Sequence, residues 1–185
     1  PDFASVYKYL QDIGEKVHQE IAPIRLSVAP LGKTQFLDRD KLFGEKVFVV
    51  FEDAREDIQN AGNCLALSLN NAVVFYLMRV VERALRRLAD NLGVVWVKNI
   101  PIEQGTWNEV ITELQKEINK QIPRSDSAGQ TRLNLCSEIL IEFRAIEQFW
   151  RNKTAHTRAN YNELDAANAF THVERFMKKL ADLMG

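Results

Sequence analysis

The fold of this chain is decided by the stretch from Leu69 to Leu92, LNNAVVFYLMRVVERALRRLADNL. Apolar residues recur in it at steps of three and four, which is the spacing of one face of an α-helix, and Gly93 follows as a natural C-cap. The pattern predicts a long amphipathic helix, and we expect it to pack against the helix predicted for residues 136–150. The apolar stripe consists of Leu69, Val73, Leu77, Val81, Leu85, Leu88 and Leu92.

The same helical period recurs along most of the chain, and no alternating strand pattern competes with it. In the opening stretch, Phe3, Val6, Leu10, Ile13 and Val17 follow one another at helical steps, and this helix should end near Ile21 and Pro23. The sequence therefore predicts an all-α fold, a bundle of five or six helices. The other predicted helical stretches are residues 45–65, 106–118, 136–150 and 162–180.

Several local signals predict where these helices bend, begin and end. Thr106 followed by Glu109 is a capping box, and a cap near Asn162 opens the last helix. Gly62 and the Asn70-Asn71 pair suggest a bend or turn after the second helix begins, and residues 123–131 read as a polar loop.

The chain divides into an N-terminal part and a main helical part. Residues 1–41 hold the opening helix and an irregular connection, and residues 42–185 form the helical domain, the two making one compact unit. Residues 22–44 contain two prolines and two glycines without a sustained period. A structureless stretch of this length inside a compact domain usually has a packing or crossing role.

Composition and charge narrow the classes of function. The chain has 185 residues, of which 46% are hydrophobic and 26% are charged, so it can bury a core and is not disordered. A net charge of −1 excludes a strong overall attraction to nucleic acid. Any binding of RNA must come from a local patch or from a dimer that doubles it.

The cysteines and the apolar runs point to a cytoplasmic protein without a membrane anchor. Cys64 and Cys136 lack the paired spacing of a zinc site or a disulfide framework. The longest apolar runs, Val47–Phe51 and Ala72–Met78, are far shorter than the roughly 18–20 residues that span a bilayer. No secretory signal is visible, although the chain begins at Pro1 rather than at a methionine. The sequence predicts no cofactor and no metal site.

The candidate site is the stretch Arg151-Asn152-Lys153-Thr154-Ala155-His156. A guanidinium is a permanent planar cation that matches phosphate oxygens, and imidazole, with an unperturbed pKa of about 6.5, exchanges protons near neutrality. Lys153 and Arg158 add positive charge, and no acidic residue occurs between Gln148 and Asn162. The pattern is a candidate for cleavage of RNA without a metal.

Helix geometry limits how this pair can work. Five residues at 100° each place Arg151 and His156 about 140° apart on a continuous helix, so they do not share a face. Either the helix breaks between them, or each residue meets its counterpart from a second subunit across a two-fold axis.

The stretch from Phe149 to His156, followed by Tyr161 and a closing amphipathic helix, resembles the HEPN superfamily. The signature of that superfamily is an arginine, a polar residue, and a histidine four to six positions after the arginine. Residues 42–47, 57–67 and 74–82 also resemble a group of uncharacterised bacterial HEPN-like proteins, so the likeness covers roughly residues 42–183. Tyr76 stands where that group leads us to expect histidine.

The resemblance implies a helical bundle that dimerises with its motifs facing, and in many members a metal-independent endoribonuclease of defence or toxin systems. Arg151 would steady the phosphate, Asn152 would orient the pair, and His156 would act as general acid or base for attack by the RNA 2′-hydroxyl. Lys153 and Arg158 are candidate substrate contacts that the family motif does not specify. Tyr161 follows the histidine by five residues rather than two, which argues against control by tyrosine modification.

Two functions of different classes follow from the sequence. The first is a homodimeric endoribonuclease with RNA as substrate. The second is a non-catalytic HEPN module that binds an antitoxin or other partner protein, RNA or a nucleotide. The intact motif favours the first, and the nearly neutral charge favours the second.

The remaining polar residues have plainer interpretations. His18 and His172 lack a partner at metal-ligand spacing, and Glu138 with Glu142 reads as a solvated face. The arginines between residues 79 and 87 read as a solubilising helix face, and the three tryptophans as core or interface anchors.

Overall fold

A computed structural model of the protein describes residues 2–24, 27–96, 105–122, 127–151 and 160–185. Within these residues the chain is helical and contains no strand, which confirms the predicted all-α class. None of the helices described is both long and apolar enough to cross a membrane. The α-helices are α1 (Phe3–Ile21), α2 (Glu45–Val50), α3 (Arg55–Ala66), α4 (Asn70–Asn91), α5 (Trp107–Gln121), α6 (Ser127–Ile146) and α7 (Glu163–Met184).

Helix α4 lies at the centre of the bundle, and ten of its residues are buried. Its main neighbours are α3 and α7, and the predicted contact with the 136–150 helix forms at the end of that helix, where α4 touches the turn over Glu147–Arg151. Helix α6 packs mainly on α5. It also meets α7, where the ring centroids of Phe143 and Phe176 lie 4.7 Å apart. The period of α4 identified its buried face, but a period does not say which helix covers that face. Residues 127–131, read as loop, form the first turns of α6.

The second predicted helix is interrupted at Phe51. Helix α2 ends at Val50, a short 3₁₀ turn follows over Glu52–Ala54, and α3 starts at Arg55. The Arg55 side chain stabilises the break because its Nε donates a 2.8 Å hydrogen bond to the Phe48 carbonyl at the end of α2. The apolar residues on both sides of the break face the same core, which explains why the sequence pattern did not show it.

Gly62 lies inside α3, and the predicted turn falls a few residues later, between Ala66 and the start of α4 at Asn70. A Cβ at this position would lie 2.8 Å from the carbonyl oxygen of Phe36 and would overlap the side chain of Leu42. Gly62 therefore lets the 3₁₀ turn of Leu31–Phe36 approach α3 closely.

The predicted helix caps agree with the structure. The Thr106 side chain accepts from the Glu109 amide at 3.3 Å while the Glu109 carboxylate accepts from the Thr106 amide at 2.9 Å. A second capping box joins Asn162 and Asp165 at the start of α7. Gly93 follows α4 with a φ of 63°, a conformation that favours glycine.

The N-terminal part of the chain contains an exposed helix and a 3₁₀ turn that packs on the helical body. Helix α1 has the predicted bounds, yet every one of its residues is exposed. The 3₁₀ turn further along belongs to the helical body, since Lys33 forms a 2.6 Å ion pair with Glu163 of α7 and the ring of Phe36 packs on Phe170.

Candidate active site

The end of α6 changes its helical geometry just before the predicted motif. The α-helix runs to Ile146 and passes into a π-helical turn over Glu147–Arg151. A π-helical turn contains more residues per turn than an α-helix, and such turns occur frequently at functional sites. The 100° step assumed for a continuous α-helix therefore no longer applies at Arg151.

Arg151 is half-buried and lies over an aromatic ring. Its guanidinium carbon is 5.3 Å from the ring centroid of Trp107, which is itself buried and begins α5. Trp107 follows the Thr106 capping box, so the start of α5 fixes the ring under the arginine. Stacking engages the face of a guanidinium, whereas hydrogen bonds to phosphate use its edge, so the two contacts are compatible.

Tyr161 joins the end of α6 to the first turn of α4. Its hydroxyl donates to the Trp150 carbonyl at 3.2 Å, and its backbone amide donates to the Asn71 Oδ1 at 2.8 Å. The Asn71 amide group also lies 3.4 Å from the Asn160 Oδ1. The residues on either side of segment 152–159 are therefore held together, and the buried Tyr161 hydroxyl has a structural contact.

Of the five predicted site residues, the structure places Arg151. Asn152, Lys153, His156 and Arg158 lie outside the described residues, so the geometry between Arg151 and His156 stays a prediction.

Two large apolar side chains are exposed on the part of the chain that leads to Arg151. Ile141 on α6 is 65% exposed, and Phe149 on the π-helical turn is 68% exposed. They lie eight residues apart, which on a helix is about two turns on one side.

A buried carboxylate that the sequence interpretation missed joins α3 to α4. Asp57 is 3% exposed, and each of its oxygens accepts a 2.8 Å hydrogen bond, one from Arg79 Nε and the other from Arg83 Nε. Arg79 and Arg83 are therefore held by a buried carboxylate. They connect α4 to α3 in addition to keeping a helix face soluble. One sequence signal pointed to this: Asp57 lies four and eight residues before buried Ala61 and Leu65, on the core-facing line of α3.

The same arginines line a cleft of about 660 Å³ that is balanced in charge. Arginines and acidic residues contribute equally to its lining, and Arg86 is already paired with Glu82. A cleft with this balance does not attract phosphate selectively.

The other polar candidates connect α6 to α7. Lys179 pairs with Glu138 at 3.0 Å and with Glu142 at 3.7 Å, and His172 lies 3.4 Å from Glu142. The acidic pair read as a solvated face is therefore part of a contact between helices.

The cysteines are poor candidates for a nucleophile. Burial raises the pKa of the Cys64 thiol and of the Cys136 thiol, which disfavours the reactive thiolate near neutrality.

Comparison of the chain with known proteins gave no match to any family model, to any curated protein or to any solved structure.

Proposed function

We propose that this protein is a metal-independent endoribonuclease of the HEPN type, acting in the cytoplasm in a defence or toxin system. The observation that carries the proposal is the position of Arg151. It opens the Arg-Asn-x3-His motif, and it lies half-exposed on a π-helical turn against the ring of Trp107. A cation held by an aromatic ring, and followed five residues later in the sequence by a proton-transfer residue, suits a phosphodiester substrate.

The chemistry uses the ribose itself as the nucleophile. His156 removes the proton of the RNA 2′-hydroxyl, whose oxygen attacks the adjacent phosphorus, and the bond to the 5′-oxygen of the next nucleotide breaks. That oxygen leaves with a proton supplied by water, His156 returns its own proton to the solvent, and the products are a 2′,3′-cyclic phosphate and a 5′-hydroxyl. Arg151 stabilises the negative charge that develops on the phosphate oxygens. DNA should resist because it lacks the 2′-hydroxyl.

The proposal includes a homodimer whose subunits share the site. Ile141 and Phe149 are exposed on the same part of the chain as Arg151, and a two-fold contact there would bury both while bringing two motifs together. Pairing would also double the local positive charge on a nearly neutral protein.

The decisive experiment is incubation of the purified protein with mixed RNA in EDTA, comparing wild type with His156→Ala and Arg151→Ala. A placed proton-transfer group typically contributes about 10²- to 10⁴-fold, and loss of a charge-stabilising donor costs about 3–4 kcal/mol, so either change should nearly abolish cleavage. The matched controls are His18→Ala, at an exposed position of α1, and Arg132→Ala, at an exposed position of α6 on the side away from Ile141. Both controls should cut RNA at the wild-type rate.

Mixing the two inactive variants tests whether subunits share the site. If Arg151 of one subunit works with His156 of the other, a mixed dimer of Arg151→Ala and His156→Ala keeps one intact site of two. Random mixing should therefore restore about a quarter of wild-type activity. If both residues act within one subunit, the mixture stays inactive.

A second function remains open for the same surface. If His156→Ala cleaves as fast as the parent, or if EDTA abolishes cleavage, the proposed mechanism is wrong. The Arg151 surface would then be a binding site for a partner protein, RNA or a nucleotide, as the balanced overall charge favours.

A further inference from the structure

Helix α1 carries an apolar seam that no described residue covers. Its members alternate steps of three and four residues without exception, and they remain between 41% and 87% exposed. Glu20 occupies the next position of the series, so the seam ends at Val17. The seam consists of Phe3, Val6, Leu10, Ile13 and Val17.

We propose that α1 pairs with the α1 of a second copy of this chain, as a short two-stranded coiled coil. This contact is separate from the shared site proposed above, and it does not depend on whether the protein cleaves RNA.

The spacing of the seam favours another helix as its cover. Steps of three and four in strict alternation give a period of 3.5 residues, which is the repeat of helices that wind around one another. Helix α4, which packs within the body, departs from this alternation, since Leu69, Val73, Leu77, Val81 and Leu85 follow one another at steps of four.

The area of the seam is sufficient for a specific contact. Phe3 is 87% exposed, and Tyr7 and Tyr9, which flank the seam, are 57% and 68% exposed. Because an aromatic side chain can bury about 150–250 Å², the paired helices would cover roughly 1,000–1,200 Å² in total, near the ~1,000 Å² that a specific interface needs.

The charges beside the seam allow two identical helices to meet. In a coiled coil, the residue before the first seam position of each heptad and the residue after the second seam position face the partner helix. In α1 and its N-cap, two of these flanking residues are charged, Asp2 and Lys16, and their signs are opposite. An antiparallel pair places Asp2 opposite Lys16, whereas a parallel pair would bring the two copies of Glu20 together, so the charges favour the antiparallel arrangement. The flanking residues are Asp2, Tyr7, Tyr9, Gly14, Lys16 and Ile21.

The helical body offers no matching groove among its described residues. The large exposed apolar side chains between Val49 and Leu164 are distributed over several elements, and none of them forms a stripe as long as the α1 seam. Ile141 and Phe149 come closest to forming such a stripe, and together they supply two side chains.

The test is a distance measurement by pulsed electron paramagnetic resonance on the full chain. A spin label is attached at Lys8→Cys, on the outer face of α1, after Cys64→Ser and Cys136→Ala have removed the native thiols. Because paired helices lie about 8–10 Å apart axis to axis, labels on two copies should give a distance of about 20–30 Å.

Two variants in the same background decide the outcome. Leu10→Asp with Ile13→Asp places charge in the seam and should abolish the short distance. Gln11→Asp with Gln19→Asp adds the same two charges on the outer face and should preserve it. The thermal melt of the helical body checks that all variants are folded.

The inference is overturned if no short distance forms, or if it survives the seam substitutions. A protein that cleaves RNA but shows no short distance would keep the proposed function and lose the α1 contact. An inactive protein with the short distance would give the reverse result.

Discussion

Helices α1 and α4 look alike in sequence and behave differently in the structure. Both carry an apolar stripe at helical steps, and both begin and end close to where the sequence predicts. Helix α4 buries ten residues between its neighbours, whereas α1 buries none. Periodicity therefore predicts a helix and its apolar face, whereas the neighbours that cover this face depend on the rest of the chain.

Truncating one leucine in α4 and one in α1 should give the largest difference in stability between the two helices. Leu85→Ala removes a side chain that is 1% exposed, so the loss of burial and the cavity should lower the free energy of unfolding by about 2–5 kcal/mol. Leu10 is 63% exposed, and Leu10→Ala should leave the unfolding of the body nearly unchanged at low protein concentration. Urea titrations of both variants measure this. Equal losses of stability would mean that α1 is packed on the body.

Replacing Gly62 in α3 and Gly14 in α1 with alanine should change stability in opposite directions. Gly62→Ala in α3 should lower the free energy of unfolding by about 1–3 kcal/mol, because its Cβ meets the Phe36 carbonyl and Leu42. In Gly14→Ala of α1, the added Cβ has no neighbouring atom within 4 Å, so the change should stabilise that helix by roughly 0.5–1 kcal/mol. Urea titration reports the first change, and slower amide hydrogen exchange in α1 reports the second. A stabilised Gly62→Ala would contradict the close approach of the 3₁₀ turn.

Removing a carboxylate charge should matter in the body and not in α1. Asp57→Asn weakens two charge-assisted hydrogen bonds, and because Arg79 and Arg83 are partly exposed and can be hydrated, the loss should be about 1–2 kcal/mol. Asp12→Asn on exposed α1 is the matched change and should have no measurable effect on thermal unfolding of the body. If Asp57→Asn is also silent, the buried ion pair does not stabilise the junction of α3 and α4.

The sequence predicted best what depends on a few neighbouring residues. The capping box at Thr106 and the glycine cap at Gly93 are confirmed because each is determined within one turn of chain. The break at Phe51 and the role of Gly62 were missed because they depend on residues from other segments. The main neighbours of α4 were missed for the same reason.

The candidate site, too, was predicted only in the part that depends on neighbouring residues. The motif was visible in the sequence, and the structure adds the π-helical turn and the ring of Trp107 that hold Arg151. Neither could be predicted, because Trp107 comes from a helix 44 positions earlier in the chain. Asp57 was missed although its position on the core-facing line of α3 was a usable signal.

The anchoring by Tyr161 and Asn71 has an evolutionary consequence. Both residues lie outside segment 152–159, and together they fix the chain on either side of it. Substitutions within such a segment can alter its chemistry while the helices that carry it keep their packing. Because these anchoring hydrogen bonds do not involve His156, gain or loss of that histidine would leave them in place, so relatives with and without the motif could share the same helical body.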